Sequence, residues 1–322
     1  MTPSLREACF RHAEHYKEIT DKADEMYLKG GQDLKAGLAL LDAEWTNILA
    51  GQEWVSVHSG DDESAAALCS AYPIAGTYCL AMRQHPRARI EWREAALQAA
   101  RRLKDRFAEI RHLTGLGLAF DDLGDPKLAI QYHEGARKIA RDVGDRRSEG
   151  AALGNLGIAF DALGQPRRAI EVLDQFLQIA LEVRDRRGEA NALGNLGNAY
   201  YDLSEYQTAA EYCQRHLEVT RAISDRRGEG RALGNLGVAY RGLKKFQRAA
   251  DCHTQALEIA REIGDERGEG NALGNLSVAL YELGERLKAI EYAKAALEIC
   301  ERIESPDVSE LRGQLADWQS EA

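Results

Sequence analysis

The chain has 322 residues, 42 basic and 52 acidic, and a formal net charge of −10 at pH 7. That balance excludes a general nucleic-acid binder, which needs a surplus of Lys and Arg to displace counterions from a phosphate backbone. Six cysteines without a CxxC pair argue against a disulfide framework or a zinc ribbon and for free thiols in a reducing cytoplasm. No apolar run approaches the roughly 20 residues a membrane helix needs, and the charged N-terminal sequence MTPSLREACFRHAEHYKE is unlike a signal peptide. The expectation is a cytoplasmic protein with no membrane and no nucleic-acid partner.

Residues 1–65 read as a helical module. A long helix is predicted over about 4–28, and after Gly30-Gly31 a second over about 33–58. Gly60-Asp61-Asp62 then breaks the chain before 63–83. His12 and His15 stand at i, i+3 on the first helix, but no third ligand accompanies them, so no metal is expected. Residues 66–105 form a degenerate copy of a repeat that is regular further along the chain, aligned by His85-Pro86 against Asp125-Pro126 and Gln165-Pro166.

From 106 to 304 the sequence repeats. RSEGAALGNLGIAF at 147–160 returns as RGEANALGNLGNAY at 187–200, RGEGRALGNLGVAY at 227–240 and RGEGNALGNLSVAL at 267–280. The period is 40 without insertion, and 21 of 40 positions agree between 185–224 and 225–264. Five such units fill 106–304, the first (107–144) looser than the rest. Each reads as two helices. The first, about 187–202 in one copy, follows Asp185, whose carboxylate can cap free amides at a helix start. The second, about 206–222, begins with Pro126 and Pro166 in two copies, where a missing N–H matters least. Its apolar positions (Ala249, Ala250, Leu257, Ile259, Ala260 and Ile263 in one copy) follow a helical spacing.

This pattern resembles the tetratricopeptide repeat, with Leu193, Leu196, Gly197, Tyr200 and Ala209 in one copy and Leu233, Leu236, Gly237, Tyr240 and Ala249 in the next. The 40-residue period and the Leu-Gly-Asn-Leu-Gly core are similar to the Leu-Gly-Asn-repeat polarity adaptors and kinesin light chains. The resemblance implies an all-α, right-handed α-solenoid (a superhelix) of helix-turn-helix repeats, and the residues at 305–322 read as a C-terminal helix that covers its last repeat. There, Ser305-Pro306-Asp307 reads as an N-cap with Pro306 at the first helical position, followed by the apolar stripe Val308, Leu311, Leu315 and Trp318. The segments RHAEHY and LLDAEWTNILAGQEWV resemble the helical arm of bacterial STAND-type signalling ATPases.

Glycine inside a helix is unfavourable by roughly 1 kcal/mol against Ala, so its recurrence needs a reason. Gly157, Gly197 and Gly237 fall at the family's small packing position. Gly154, Gly194, Gly234 and Gly274 admit a second reading, in which a missing side chain lets an extended ligand reach the helix. Strings such as GEGNALGNLG imitate a phosphate loop, but no strand precedes them and no Lys-Ser/Thr follows, so no nucleotide cofactor is expected.

The functional case rests on asparagine. With about 100° per residue and Asn191 at 0°, Asn195 falls near 40° and Asn198 near −20°, opposite Leu193, Leu196 and Tyr200. Asn155, Asn195, Asn235 and Asn275 recur every 40 residues, with Asn191, Arg231 and Asn271 one turn before three of them. Stacked repeats align them along the wall that the resemblance assigns to the concave side. Asn is a poor helix former, but its amide can pair with both the N–H and the C=O of an extended backbone, and the resembling adaptors use Asn at this position in that way. The alternatives are a ladder copied by duplication, or amides bonded to a neighbouring helix. Tyr201, Asp202, Arg241 and Tyr281 complete the candidate set. The joints Asp145-Arg146-Arg147, Asp185-Arg186-Arg187, Asp225-Arg226-Arg227 and Asp265-Glu266-Arg267 are read first as ion pairs with Glu149, Glu189, Glu229 and Glu269.

His133, Leu173, Cys213, His253 and Ala293 share one repeat position, and a position that accepts Leu and Ala is a packing position. Cys252-His253 are consecutive on one helix and point apart, so no enzyme is expected. The reading is a non-enzymatic scaffold or adaptor that binds an extended peptide or partner tail in a concave groove. The alternative is a regulatory or sensor subunit whose partner is an effector: an ATPase, a protease or a transcription factor. The oligomeric state is left open.

Overall fold

Seventeen α-helices, and no strand, account for the residues that the computed structural model describes, 4–320. They divide after Leu163 into two units, each with its own packing.

The first unit opens with α1 (Leu5–Lys29), α2 (Gly31–Ala43), α3 (Trp45–His58), α4 (Glu63–Ala75) and α5 (Thr77–Arg83). The helix expected over 33–58 is therefore two helices, broken at Glu44 (φ −102°, ψ 9°). Gly37 and Gly51 explain the break. A Cβ on Gly37 would lie 2.5 Å from the Ala23 carbonyl oxygen, and one on Gly51 3.1 Å from the Ala13 backbone and 2.3 Å from the Tyr72 hydroxyl. Both glycines are thus close-approach points onto α1. Fourteen residues of unbroken helix rise about 21 Å, whereas the ten residues between the two seats on α1 rise about 15 Å. A kink reconciles the two lengths. Residues 63–83 likewise bend by 69° at Gly76, where a Cβ would meet Thr20 Cγ2 at 2.5 Å. The buried Asp24 carboxylate accepts hydrogen bonds from the freed amides of Tyr78 and Cys79, both at 2.8 Å.

Beyond this module come α6 (Pro86–Arg102), α7 (Arg106–Asp122), α8 (Pro126–Val143) and α9 (Arg146–Ala162). The second unit holds α10 (Pro166–Glu182), α11 (Arg186–Asp202), α12 (Tyr206–Ala222), α13 (Arg226–Gly242), α14 (Phe246–Ile263), α15 (Glu266–Glu282), α16 (Arg286–Arg302) and α17 (Val308–Ser320). From Lys104 to Glu304 every twentieth residue has a positive φ, between 53° and 82°. Each sits in the short link between two helices, so a left-handed residue reverses the chain at each link. Five of these residues are glycine; Lys104, Arg184, Ser204, Ser224, Lys244 and Glu304 adopt the same conformation with a side chain attached.

The aspartate caps appear as expected. Asp105, Asp145, Asp185, Asp225 and Asp265 each accept the amide of the residue three further on, at 2.9–3.1 Å. Pro126 and Pro166 open α8 and α10. The small packing positions also hold. A Cβ on Gly197 would lie 2.7 Å from Cys213 Sγ, and one on Gly237 2.5 Å from the His253 ring. In the last repeat Ser277 replaces glycine and the facing residue shrinks to Ala293. The Arg146–Glu149, Arg186–Glu189 and Arg226–Glu229 pairs are each 2.6 Å long. Burial opposes ionisation of Glu229, but hydrogen bonds from Arg221 and Arg226 outweigh it and hold its carboxyl below the usual range.

The closing helix starts at Val308, two residues later than the sequence suggests. Ser305 Oγ accepts the Asp307 amide at 3.3 Å and closes a turn over 305–307 instead of capping a helix led by Pro306. Leu311, Leu315 and Trp318 are buried against the core of the second unit, with Val308 half-buried beside them. No single helix among the described residues is long and apolar enough to cross a membrane; the bent pair α4–α5 comes nearest, and α4 is largely buried in the first unit.

Candidate functional site

In the second unit, the first helices α11, α13 and α15 present their polar stripes to one cavity of about 360 Å³. Asn191, Asn195 and Asn198 come from α11, Arg231 and Asn235 from α13, and Asn271 and Asn275 from α15. The stripe faces outward because leucines occupy the opposite face: Leu193, Leu196, Leu233, Leu236, Leu273 and Leu276 are each at most 3% exposed. Seven of the twelve candidates thus share one cavity.

The amides are not equivalent. Asn235 Nδ2 donates to Asn198 Oδ1 at 2.8 Å, a bond between successive repeats, and Asn275 Nδ2 donates to the Asn271 carbonyl at 3.0 Å. The side-chain amides of Asn191, Asn195 and Asn271 make no hydrogen bond to another described residue. Each Asn offers two N–H donors and a carbonyl, so Asn235 and Asn275 keep capacity after these bonds are made.

Five candidates lie elsewhere. Asn155 is on α9, in the first unit. Tyr201 packs against Tyr206 with ring centroids 5.2 Å apart, and Asp202 ends α11 exposed to solvent. Arg241 does not line the cavity; its charge acts on the buried His253. Tyr281 is covered by the closing helix, its ring stacked on Trp318 at 4.4 Å.

The glycines divide in the same way. A Cβ on Gly234 would meet nothing within 4 Å, so the wall is open there, as a ligand-facing glycine should be. At Gly194 the His216 ring instead lies 2.9 Å from the position of a Cβ, whereas a Cβ on Gly274 would make only ordinary contact with Leu311 of α17, at 3.7 Å. Gly230 and Gly234, one turn apart on α13, leave space toward the helix behind: a Cβ on Gly230 would lie 3.3 Å from Ile259 of α14, and one on Gly234 would meet nothing within 4 Å. Ala256, Ile259, Ala260 and Ile263 of α14 line the cavity, as do His216 of α12 and His253 of α14. Sequence reasoning followed the first-helix stripe and missed these second-helix groups. The signal was present in Gly230 and Gly234, whose missing side chains expose the helix below.

His253 is 1% exposed and neither ring nitrogen has a partner among the described residues. Burial, aided by the Arg241 charge, lowers its pKa to about 4; burial and Arg231 do the same for His216. Both imidazoles are neutral at pH 7. The adjacent Cys252 is buried and its thiol is pushed up to about 11 by that burial, which leaves no thiolate for nucleophilic work. At the mouth, Arg227 reaches Asp265 at 3.4 Å. Among the described residues no group of three His, Cys, Asp or Glu side chains could hold a metal ion. The cavity offers neutral hydrogen bonding, the Arg231 guanidinium beside the Arg227–Asp265 pair, and an apolar floor.

Models of the tetratricopeptide repeat match residues 122–182, 188–262 and 270–307, more than half of the chain. The chain belongs to the tetratricopeptide repeat family, and its repeats build a protein-interaction scaffold. No curated protein matches the sequence. Among solved structures, the fold is similar to a signal-transduction ATPase with numerous domains carrying a tetratricopeptide repeat sensor, from Pyrococcus horikoshii (TM-score 0.66, 17% identity). That match covers 99% of this chain and 50% of the other, so this chain spans half the length of that ATPase. BtubC (BKLC) from P. vanneervenii matches with a TM-score of 0.61 and 20% identity, covering 68% of this chain and 92% of that one. Nearly identical TPR-like repeats of kinesin light chain type from Podosopora anserina match at a TM-score of 0.52 and 20% identity, over 61% and 96%. At these identities the likeness is one of fold.

Proposed function

We propose that the chain is a non-enzymatic adaptor whose second unit holds an extended peptide, or the tail of a partner protein, in the cavity between α11, α13 and α15. The observation that carries this reading is the convergence of five asparagines from two helices, with Arg231 and Asn235 between them, on one cavity. Three of those side-chain amides make no hydrogen bond to another described residue. Amides of this kind pair with main-chain N–H and C=O groups whatever the ligand's side chains, while Arg231 and the apolar α14 floor select among ligands. The cytoplasm, where six unpaired thiols stay reduced, is the compartment this reading implies.

A second reading makes the chain a regulatory or sensor subunit of an effector such as an ATPase, a protease or a transcription factor. It draws on the likeness of fold to the Pyrococcus horikoshii ATPase, which takes in the aperiodic helices α1–α5 as well as the repeats. Both readings need a partner at the groove, and one experiment addresses them. Wild type and the Asn195→Ala/Asn235→Ala/Asn275→Ala variant are used as bait in host lysate, with circular dichroism to show that both are folded. A partner captured by wild type and lost at least tenfold in the variant supports the groove, since several hydrogen bonds of about 1 kcal/mol each are removed. Equal capture by both overturns it.

A further inference from the structure

The first unit contains a cavity that shares no residue with the asparagine groove. It is lined by α4 to α7, has a volume of about 190 Å³, and sets Gln84, Arg89 and Arg93 against Leu80, Trp92 and Leu118. Gln84 is 7% exposed, yet neither its Oε1 nor its Nε2 has a hydrogen-bond partner among the described residues. An interior amide with both ends unpaired is destabilising, and Leu in its place would fill the same space without that penalty.

Arg93 is equally unusual. Its guanidinium lies over Gly115, where a Cβ would come within 2.2 Å of Cζ. The missing side chain of Gly115 is what seats the charge. Arg93 donates to the carbonyl oxygens of Pro73, at 3.2 Å, and Arg111, at 3.5 Å, and pairs with no carboxylate among the described residues. Burial and the neighbouring Arg89 lower its pKa to about 10, so it remains charged at pH 7. Arg89 is neutralised by Asp122, although its Nε is unpartnered. The cavity therefore holds one uncompensated positive charge beside one unpaired amide. A neighbouring cavity of about 260 Å³ shares Arg93, Gly115 and Leu118 and continues past Ile110.

We infer that this cavity is a second ligand site, for a monocarboxylate on an apolar body with an amide N–H beside the carboxylate. A single free charge favours a monoanion over a phosphate dianion, and a guanidinium fork matches a carboxylate. Gln84 Nε2 donates to that carboxylate and Gln84 Oε1 accepts the ligand's N–H. The apolar body rests against Leu80, Trp92 and Leu118. An N-acylated apolar amino acid has this chemistry, either as a free small molecule or as the last residue of a peptide.

The test is calorimetric titration of the full chain with four probes: N-acetyl-leucine, N-acetyl-leucinamide, 4-methylpentanoate and a pentapeptide ending in leucine. N-acetyl-leucine should bind, and the neutral amide and 4-methylpentanoate should each bind at least about tenfold more weakly, each lacking one hydrogen-bonded group. Tighter binding of the pentapeptide assigns the site to a chain terminus, and weaker binding to a free small molecule. Gln84→Leu should keep or raise the Tm while losing N-acetyl-leucine at least tenfold, an outcome that a structural glutamine would not give. Gly115→Val, which displaces the guanidinium, should lose it as well. Absence of binding by any probe up to ~10 mM, or full binding by a folded Gln84→Leu protein, overturns the site; equal binding of 4-methylpentanoate overturns the amide contact.

Discussion

The periodic helices and the aperiodic ones before them use different means to the same end. From Asp105 onward a few contacts are copied: an aspartate cap of 2.9–3.1 Å, a small residue under a facing side chain, a left-handed link. In α1–α5 each contact occurs once. Tyr72 donates to the Ala13 carbonyl at 2.7 Å, Asp24 caps α5 from 54 residues away, Gly37 touches backbone, and Trp45 stacks on Trp92 of α6 at 6.1 Å. Copied contacts make stability a sum of similar increments, each dispensable. Unique contacts concentrate it, so single substitutions should cost more in α1–α5 than at equivalent chemistry in the repeats.

Acid is the strongest way to break that comparison, because it strikes a repeat at its core. His253 titrates at about 4 in the folded chain, against an ordinary value of 6.5. Between those values the unfolded chain binds more protons than the folded one, so stability is full above about 6.5 and falls as the pH is lowered through the folded value. The loss levels off below that value and amounts to roughly 3 kcal/mol for His253. His216, also lowered to about 4, adds to the fall in the same window. His253→Leu, which borrows Leu173 from the equivalent position, should remove the His253 share and lessen the loss of Tm between pH 6.5 and 4, measured by circular dichroism, while His216 and the buried His112, lowered to about 3, keep theirs. An unchanged pH profile would mean that His253 is not buried in its neutral form.

Asp24→Ala against Asp225→Ala sharpens the comparison directly. Both remove a carboxylate that accepts backbone amides. Asp24 is 7% exposed and serves two amides, so its loss should cost roughly 2–3 kcal/mol. Asp225 accepts one amide at a helix start, at 2.9 Å, and should cost about 1 kcal/mol. Urea unfolding followed by tryptophan fluorescence and by circular dichroism separates the units, because Trp45, Trp54 and Trp92 lie in the first and Trp318 in the second. Equal costs would sink the distinction between copied and unique contacts.

The same distinction decides what the sequence made legible. The period, the caps at Asp185 and its equivalents, the packing role of Gly197 and Gly237, and the polar stripe of Asn191, Asn195 and Asn198 are local patterns repeated often enough to be read. The break at Glu44 is set by where Gly37 and Gly51 must meet α1, and no local letter announces it: WTNILAG is as good a continuation as a start. Gly76 and Asp24 are far apart in the chain, and only the fold makes one the cap for the break at the other. In the groove, the stripe was legible but its floor was not, because His216 and His253 belong to second helices and read there as packing residues. His253 is one, over Gly237, and also lines the cavity. Arg93 and Gly115, likewise, become a pair only across two helices.

The smallest predicted effect tests the links. Gly144, Gly164, Gly264 and Gly284 occupy the left-handed position without strain, whereas Lys244 holds φ 57° with a Cβ in place. A non-glycine residue in that region is disfavoured by about 1–2 kcal/mol, and glycine's greater freedom in the unfolded chain returns part of that. Lys244→Gly should therefore stabilise by several tenths to about 1 kcal/mol, seen as a higher urea midpoint with unchanged m-value. Ser204→Gly and Ser224→Gly should act in the same direction and, being one link or more apart, nearly additively. Comparable gains at all three would show that the links, like the caps, are equivalent copies. A loss at Lys244 would mean that its side chain makes a stabilising contact that outweighs the backbone strain, and that this link differs from the others.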